Sequence, residues 1–369
     1  MKLPRIQRRE TRAVGVGGVT IGGGAPVSIQ SMTNTHTRDV KATLGQVRAL
    51  ADAGAELVRV AVPAEPDTKA LREIVSGSPV PIIADVHFHF DRALEAIAGG
   101  AAKIRLNPGN ISDRDQVRRV IDAAGAAGAA IRVGVNEGSV VERREGAKRA
   151  DERKRPLHEL MADKMAQYLE VFDESGFTDL VLSAKSHDAV TTVAVNRILA
   201  ERWDWPLHLG VTHAGTARTG AIRSAAALGT LLCEGIGDTI RISYAGDPVA
   251  EVEAAKELLA SLRLRAREGV ELVACPTCGR LETDIAPIIE RIQAALADVS
   301  APLTVAVMGC VVNGPGEADS ADVAVCAGKG KAVLYRRGRK LRTVSADQVA
   351  DAVVGEVKRL IGEEPDSLK

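Results

Sequence analysis

The chain has 369 residues, more than twice the roughly 150 residues of a typical domain, so we expect one large domain and one small one. Its 48 basic and 48 acidic side chains give a formal net charge of zero, and aromatic residues make up only 2% of the chain. This balance disfavours nucleic acid and membrane surfaces as partners. No apolar run approaches the ~18 residues of a membrane span, and no signal core follows the basic N-terminus, so we expect a cytoplasmic protein.

The first predicted element is a β-hairpin in the glycine-rich stretch 13–26, AVGVGGVTIGGGAP, which does not fit the dinucleotide-binding pattern G-x-G-x-x-G. Eight short segments rich in Val, Ile and Leu then predict strands that begin at residues 27, 56, 81, 102, 130, 179, 207 and 239. Ala-rich amphipathic stretches such as 39–54 separate most of them. Alternation of strand and helix implies parallel pairing, and eight units predict an α/β fold of the (β/α)8 TIM-barrel type, with the hairpin closing its bottom. An open doubly wound sheet is the alternative.

A second α/β pattern follows the barrel units, and we place the domain boundary between residues 265 and 266. Its predicted strands lie at 270–275, 303–309 and 321–328, with a strand pair around 335–340 and helices at 284–299 and 346–362. The sequence therefore predicts a barrel domain at 1–265 and a small α/β domain at 266–369.

Polar and mostly cationic side chains follow the apolar parts of the barrel strands, where barrel enzymes place their active sites. These residues are Arg59, Asp85, His87, Arg105, Asn107, Arg132, Asn136, Lys185, His213, Arg241 and Ser243. Five permanent cations among them predict an anionic ligand, and guanidinium groups suit the oxygens of a diphosphate. The alternative is that each arginine pairs with a neighbouring carboxylate. A metal site at His87 and His89 is disfavoured because no third ligand is near in sequence.

The five cysteines favour metal or redox use over a disulfide framework, since their number is odd. Cys275 and Cys278 form a C-x-x-C motif, Cys310 follows the next core strand, and Glu317 ends the loop after it. Three thiolates and one oxygen ligand suit a 4Fe-4S cluster with one exchangeable position, whereas structural zinc would need a fourth Cys or His. Asn313 could donate a hydrogen bond beside such a cluster. The other two cysteines, Cys233 and Cys326, are expected in the core.

With these residues placed, the chain resembles the bacterial 4-hydroxy-3-methylbut-2-enyl diphosphate synthases of the methylerythritol phosphate route to isoprenoids. The motifs that carry the resemblance extend over nearly the whole chain: QSMTNTHTRDV (30–40), ADVHF (84–88), IRLNPGN (104–110), IRVGVNEGS (131–139), LHLGVTHAG (207–215), EGIGDTIRIS (234–243), ACPTCGR (274–280) and GCVVNGPGEA (309–318). The last two together are highly specific.

The resemblance implies a TIM-type barrel that binds 2-C-methyl-D-erythritol 2,4-cyclodiphosphate. It also implies a sulfite/nitrite reductase-like domain with a 4Fe-4S cluster, whose ligands would be Cys275, Cys278, Cys310 and Glu317. It implies substrate contacts from Arg59, Asp85, Arg105, Arg132, Asn136, Lys185, Arg241 and Ser243. It also implies flavodoxin or ferredoxin as the electron donor, and a homodimer in which the cluster domain of one subunit caps the barrel of the other. The non-redox alternative is a phosphate-ester lyase or aldolase with structural zinc.

Three residues depart from the pattern of that family. His213 stands where a glutamate is usual and, with Asn313 and Glu317, is a candidate catalytic residue. Imidazole can still donate or accept a proton, but over another pH range. Glu137 stands where a small residue is usual, and His187 comes two residues after Lys185.

Overall fold

The computed structural model describes residues 5–87, 89–108, 110–111, 113–140, 155–276, 278–310, 316 and 318–363. Two of the candidate catalytic residues, Asn313 and Glu317, lie outside the described residues. The chain divides into two compact units, Met1–Arg265 and Ala266–Lys369.

The first unit starts with the predicted hairpin, which consists of β1 (Ala13–Val16) and β2 (Val19–Gly22) in antiparallel register. Its buried side chains Val14, Val16 and Ile21 pack on the apolar starts of the barrel strands, among them Leu57 and Ile83. The hairpin therefore closes the N-terminal end of the barrel with apolar contacts, as the sequence predicted.

Eight parallel strands form the barrel: β3 (Ser28–Met32), β4 (Leu57–Val62), β5 (Ile82–Val86), β6 (Lys103–Leu106), β7 (Ala130–Asn136), β8 (Leu180–Lys185), β9 (His208–Leu209) and β10 (Thr239–Ile240). Their order is β8-β7-β6-β5-β4-β3-β10-β9, and a parallel bridge between Leu182 and Leu207 brings the last strand back to β8. The predicted (β/α)8 barrel is confirmed. The open doubly wound sheet is wrong, because its first and last strands would not meet.

Helices connect the strands: α1 (Val40–Asp52), α2 (Glu65–Gly77), α3 (Phe90–Ala98), α4 (Arg114–Ala127), α5 (Glu137–Val140), α6 (Leu157–Ser175), α7 (Ala189–Arg202), α8 (Ala217–Cys233) and α9 (Pro248–Ser261). Aspartates define where several of them begin. The side chains of Asp39, Asp113, Asp188 and Asp247 accept backbone N–H groups that have no partner within the first helical turn.

The last two barrel strands are shorter than the predicted segments at 207 and 239, with two residues each in the ladder. Gly210 lies where the chain leaves β9, and a Cβ there would be 2.6 Å from Nζ of Lys185 and 2.8 Å from the carbonyl oxygen of Arg241. Glycine at this position lets two predicted substrate-binding residues approach each other closely.

The second unit has a five-stranded sheet in the order β11 (Glu271–Ala274), β12 (Thr304–Met308), β13 (Val323–Gly328), β14 (Lys331–Arg336) and β15 (Arg339–Ser345). The first three strands are parallel and the last two are antiparallel. Helices α10 (Ala286–Ala295) and α11 (Val349–Glu363) cover one face. The predicted small α/β fold is confirmed. Within the described ranges, no helix combines the length and apolar character needed to cross a membrane.

Candidate active site

A cavity of about 140 Å³ lies inside the C-terminal half of the barrel. All eight residues predicted to bind substrate line it: Arg59, Asp85, Arg105, Arg132, Asn136, Lys185, Arg241 and Ser243. The remaining lining residues are His87, Gly134, Ser183, Val211 and Thr212. Side chains from at least five strands and from the segments after β9 and β10 therefore converge on one space.

The cavity extends deeper than the ends of the strands, which corrects the expectation that all five cations lie at the mouth. Arg59 is the third residue of β4, and Arg132 is the third residue of β7. Alternate residues of a barrel strand face inward, so Arg132, Gly134 and Asn136 line the cavity at three successive levels. The two mid-strand arginines form its deeper part.

Asp85 is the carboxylate at the centre of the cationic cluster. Its Oδ2 lies 3.5 Å from Nε of Arg59, and its Oδ1 lies 3.3 Å from Nη1 of Arg105. Nε2 of His87 is 3.6 Å from Oδ2. Burial by itself would raise the pKa of Asp85, but Arg59, His87 and Arg105 together lower this pKa well below its usual range. Asp85 is therefore ionised at neutral pH.

A second carboxylate, Glu251, lies 3.4 Å from Nη2 of Arg241 and accepts the backbone N–H of Tyr244 at 3.0 Å. The alternative in which every arginine has its own carboxylate is thus only partly right. In the part of the chain that the structure describes, no carboxylate lies within 4.0 Å of the cationic groups of Arg132 or Lys185. Five cations share two carboxylates, which leaves a surplus of positive charge inside the barrel.

Burial of this surplus charge disfavours the protonated forms. Burial first, and then the neighbouring charges of Arg59 and Arg105, lower the pKa of Arg132 well below its usual value. Burial and the nearby guanidinium groups, Arg132 first, lower the pKa of Lys185 in the same way, and its Nζ lies 3.0 Å from Nε2 of the buried His208. An anion in the cavity would favour the charged forms of both side chains.

Two residues near the cationic side chains of the cavity were not identified from the sequence. Lys103 is fully buried on β6, and its Nζ has no hydrogen-bond partner among the described residues. It precedes Arg105 by two positions, so strand alternation could have indicated that both face inward. Met32 gave no such signal, although its Sδ accepts from Nη2 of Arg59 at 3.0 Å and Nη1 of Arg241 at 3.3 Å.

His213 is not brought into the cavity. Its neighbours Val211 and Thr212 line the cavity, but His213 is exposed and has a φ of 51°, in the left-handed region that non-glycine residues rarely adopt. The predicted catalytic role of His213 stays a prediction.

In the second unit, two of the predicted cluster ligands follow neighbouring parallel strands. Cys275 comes directly after β11, and Cys310 comes two residues after the end of β12. The N–H of Gly309 donates to Sγ of Cys275 at 3.1 Å. A Cβ on Gly309 would lie 2.3 Å from Cδ1 of Leu281 and 3.5 Å from the same sulfur, so a larger residue there would require the Leu281 side chain to move.

Within the described ranges, no three His, Cys, Asp or Glu side chains are grouped so that they could hold one metal ion. The exposed Cys278 belongs to the predicted ligand set, and Glu317 lies outside those ranges. Three thiols and one carboxylate, with two of the thiols after adjacent strands, still match an iron-sulfur cluster in kind. The ligand set stays a prediction.

The two remaining cysteines differ from each other. Cys326 is buried on β13, as expected, and burial first and then the charges of Cys310 and Cys275 raise its pKa to about 11. Cys233 is exposed, so its expected place in the core is wrong. It ends α8 on the side opposite the buried positions Leu228 and Leu231.

Comparisons with known proteins cover both units. Residues 11–256 match the description "GcpE TIM-barrel domain", and residues 271–359 match "GcpE protein C-terminal domain". A protein of Geobacter sulfurreducens is 46% identical over 96% of this chain and 99% of its own length. A protein of Aquifex aeolicus is 45% identical over 96% of this chain and 98% of its own length. A protein of Salinispora arenicola is 46% identical over 98% of this chain and 91% of its own length. All three are described as 4-hydroxy-3-methylbut-2-en-1-yl diphosphate synthase (flavodoxin).

Proposed function

Because the chain belongs to the GcpE family, we propose that its barrel cavity binds 2-C-methyl-D-erythritol 2,4-cyclodiphosphate and that electrons from flavodoxin open this ring. The family resemblance and the enzyme class are confirmed: the chain is an oxidoreductase of isoprenoid biosynthesis, a 4-hydroxy-3-methylbut-2-en-1-yl diphosphate synthase. The lyase or aldolase alternative is not favoured. The residue roles, the cluster, the homodimer and the cytoplasmic location stay predictions.

One observation carries the assignment of the substrate site. Five buried or partly buried cations line one cavity, and among the described residues two carboxylates lie within 4.0 Å of any of them. Such an excess of charge is expensive to bury unless a ligand neutralises it. A cyclic diphosphate offers two phosphoryl groups to the guanidinium forks, whereas a single carboxylate would leave most of the cations unpaired.

In the net reaction, the substrate takes up two electrons and two protons. The bond between the tertiary carbon and its phosphate oxygen breaks, the hydroxyl on the adjacent carbon leaves as water, and a carbon–carbon double bond forms. A 4Fe-4S cluster held by Cys275, Cys278, Cys310 and Glu317 would supply the two electrons singly.

The barrel residues bind and orient the substrate in this scheme. Arg132 and Lys185, which have no carboxylate within 4.0 Å among the residues that the structure describes, would bind the phosphate oxygens and hold the released end of the diphosphate after ring opening. Asp85 would fix the two arginines that it contacts, and we expect it to lie near the carbon skeleton of the substrate. His213, Asn313 and Glu317 are the candidate catalytic residues. His213 would donate or accept a proton, Asn313 would donate a hydrogen bond beside the cluster, and Glu317 would be its exchangeable ligand.

Anaerobic purification with iron, zinc and sulfide analysis, followed by an assay with the cyclic diphosphate and reduced flavodoxin, tests the proposal. We expect roughly four irons and four sulfides per chain, and conversion of the substrate. One zinc without sulfide after anaerobic reconstitution, and no conversion, would move the structural-zinc lyase to first place.

Calorimetric titration of the purified chain with inorganic diphosphate tests the cavity separately, with acetate as the matched anion. We expect diphosphate to bind and acetate not to bind. Equal binding of both anions would contradict the assignment of the cavity to a diphosphate.

A further inference from the structure

Glu137 and His187, two residues that depart from the family pattern, contact each other at the rim of the barrel. Glu137 is the first residue of α5 and directly follows the cavity residue Asn136 on β7. Its Oε2 accepts a hydrogen bond from Nδ1 of His187 at 2.8 Å, and a second from Oγ of Ser186 at 2.8 Å. The carboxylate therefore links the end of β7 to the segment after β8.

Ser186 is the centre of a larger set of hydrogen bonds. It is fully buried, and its Oγ also accepts the N–H of Asp188 at 3.1 Å. Its own N–H donates to Oγ1 of Thr192 at 3.2 Å, and its carbonyl oxygen accepts the N–H of Thr212 at 3.1 Å. Ser186 thus joins β8, α7 and the segment after β9.

The residues next to this centre belong to the cavity. Lys185 directly precedes Ser186, and Thr212 is bonded to its carbonyl oxygen; both line the cavity. With Glu137 present, the Ser186 hydroxyl has both a carboxylate acceptor and a backbone donor, so its rotamer is held. Without Glu137, the hydroxyl loses its acceptor and the backbone beside Lys185 is held less firmly.

We propose that Glu137 is a positioning residue which, through its hydrogen bond to Ser186, holds Lys185 in the orientation that binds the anionic substrate. The inference rests on the proposed function, because it assumes that Lys185 binds a diphosphate. It concerns a position at which this chain departs from the pattern that it otherwise resembles, where a small residue is usual.

The ion pair between Glu137 and His187 contributes little to stability, which separates this role from a structural one. The side chains of Glu137 and His187 are 33% and 59% exposed, and exposed ion pairs contribute little to stability. Loss of Glu137 should therefore weaken anion binding more than it weakens the fold. Small displacements of Lys185 should weaken anion binding, because its contacts with the ligand depend on its exact position.

The test measures the dissociation constant for inorganic diphosphate by calorimetry, and the unfolding temperature, on the full chain. We expect Glu137→Ala to raise the dissociation constant about 3- to 10-fold, with the unfolding temperature nearly unchanged. Glu137→Gln should restore most of the affinity, because its amide oxygen can still accept from Ser186. Glu234→Ala is the matched control: Glu234 is 37% exposed and also paired, with Arg197, but does not contact the cavity.

A double-mutant cycle with Lys185→Met then tests the route of the effect. If Glu137 acts through Lys185, Glu137→Ala should change the affinity of the Lys185→Met protein by less than twofold. Equal affinities of the wild type and Glu137→Ala, or fully additive losses in the double mutant, would overturn the inference and leave the proposed function standing. No binding of diphosphate by the wild type would overturn both.

Discussion

Replacing Arg132 by methionine should stabilise the ligand-free protein and at the same time weaken its binding of diphosphate. Arg132 is only 2% exposed, and no carboxylate lies within 4.0 Å of it among the described residues. Burial first, and then the charges of Arg59 and Arg105, lower its pKa, so its positive charge is unfavourable in the empty cavity. Methionine replaces the aliphatic part of the arginine side chain and carries no charge.

The gain in stability of the ligand-free protein and the loss of diphosphate binding energy have opposite signs and comparable sizes. Replacing a buried, poorly compensated charge with a well-packed apolar side chain stabilises proteins by ~1–3 kcal/mol. Removing a hydrogen bond to a charged group costs ~1.5–3 kcal/mol of binding free energy, which is roughly a 10- to 150-fold loss of affinity.

Urea unfolding of the ligand-free protein and calorimetric titration with diphosphate measure the two effects. Arg105→Met is the control, since Arg105 is also buried, at 4% exposure, but its Nη1 lies 3.3 Å from Oδ1 of Asp85. That variant should lose stability, because it removes one partner of a buried pair. If Arg132→Met destabilised the protein as much as Arg105→Met, or kept full affinity, the account of the cavity as an uncompensated cationic site would be wrong.

Three further predictions concern the cluster, the histidine and the carboxylate. Cys310→Ser should lower the iron and sulfide content of anaerobically purified protein, whereas Cys233→Ser, at an exposed position, should leave it unchanged. His213→Ala should lower kcat by ~100-fold or more if His213 moves a proton. His213→Glu should restore activity with a shifted pH profile. No change of activity in either variant would exclude a role of His213 in proton transfer. Asp85→Asn should lower the free energy of unfolding by ~3 kcal/mol, equally at pH 8 and pH 9. Burial by itself raises the pKa of Asp85, but charges led by that of Arg59 lower it below the unfolded-state value. The stability due to the Asp85 charge is therefore present above the unfolded-state pKa and is lost only in strong acid. A loss of unfolding free energy that differs between the two pH values would contradict this.

Much of the fold could be predicted from local sequence, because strand and helix signals depend on short-range periodicity. Alternating apolar strands and amphipathic helices predicted eight parallel units, and the glycine-rich start predicted the hairpin β1–β2. The cavity residues could be predicted for a related reason. Parallel strands of a barrel bring equivalent positions to one end, so polar residues that follow apolar strand starts are brought together even when they are as distant in sequence as Arg59 and Arg241.

Depth and exposure could not be predicted in this way. The sequence alone did not reveal that Arg59 and Arg132 lie below the strand ends, because this depends on the stagger of neighbouring strands. It placed Cys233 in the core, whereas α8 turns that residue towards solvent.

The contact between Glu137 and His187 shows the limit most clearly. Each residue was recognised separately as a departure from the family pattern, and nothing in the 49 residues between them indicates that they meet. They touch because β7 and β8 are adjacent and parallel, with Asn136 opposite Lys185, so the residues that follow the two strands leave the sheet side by side. The sequence by itself determined which side chains this protein carries at the ends of its strands; only the closure and register of the barrel decided which of them touch, because those distances are set by strand pairing and not by position along the chain.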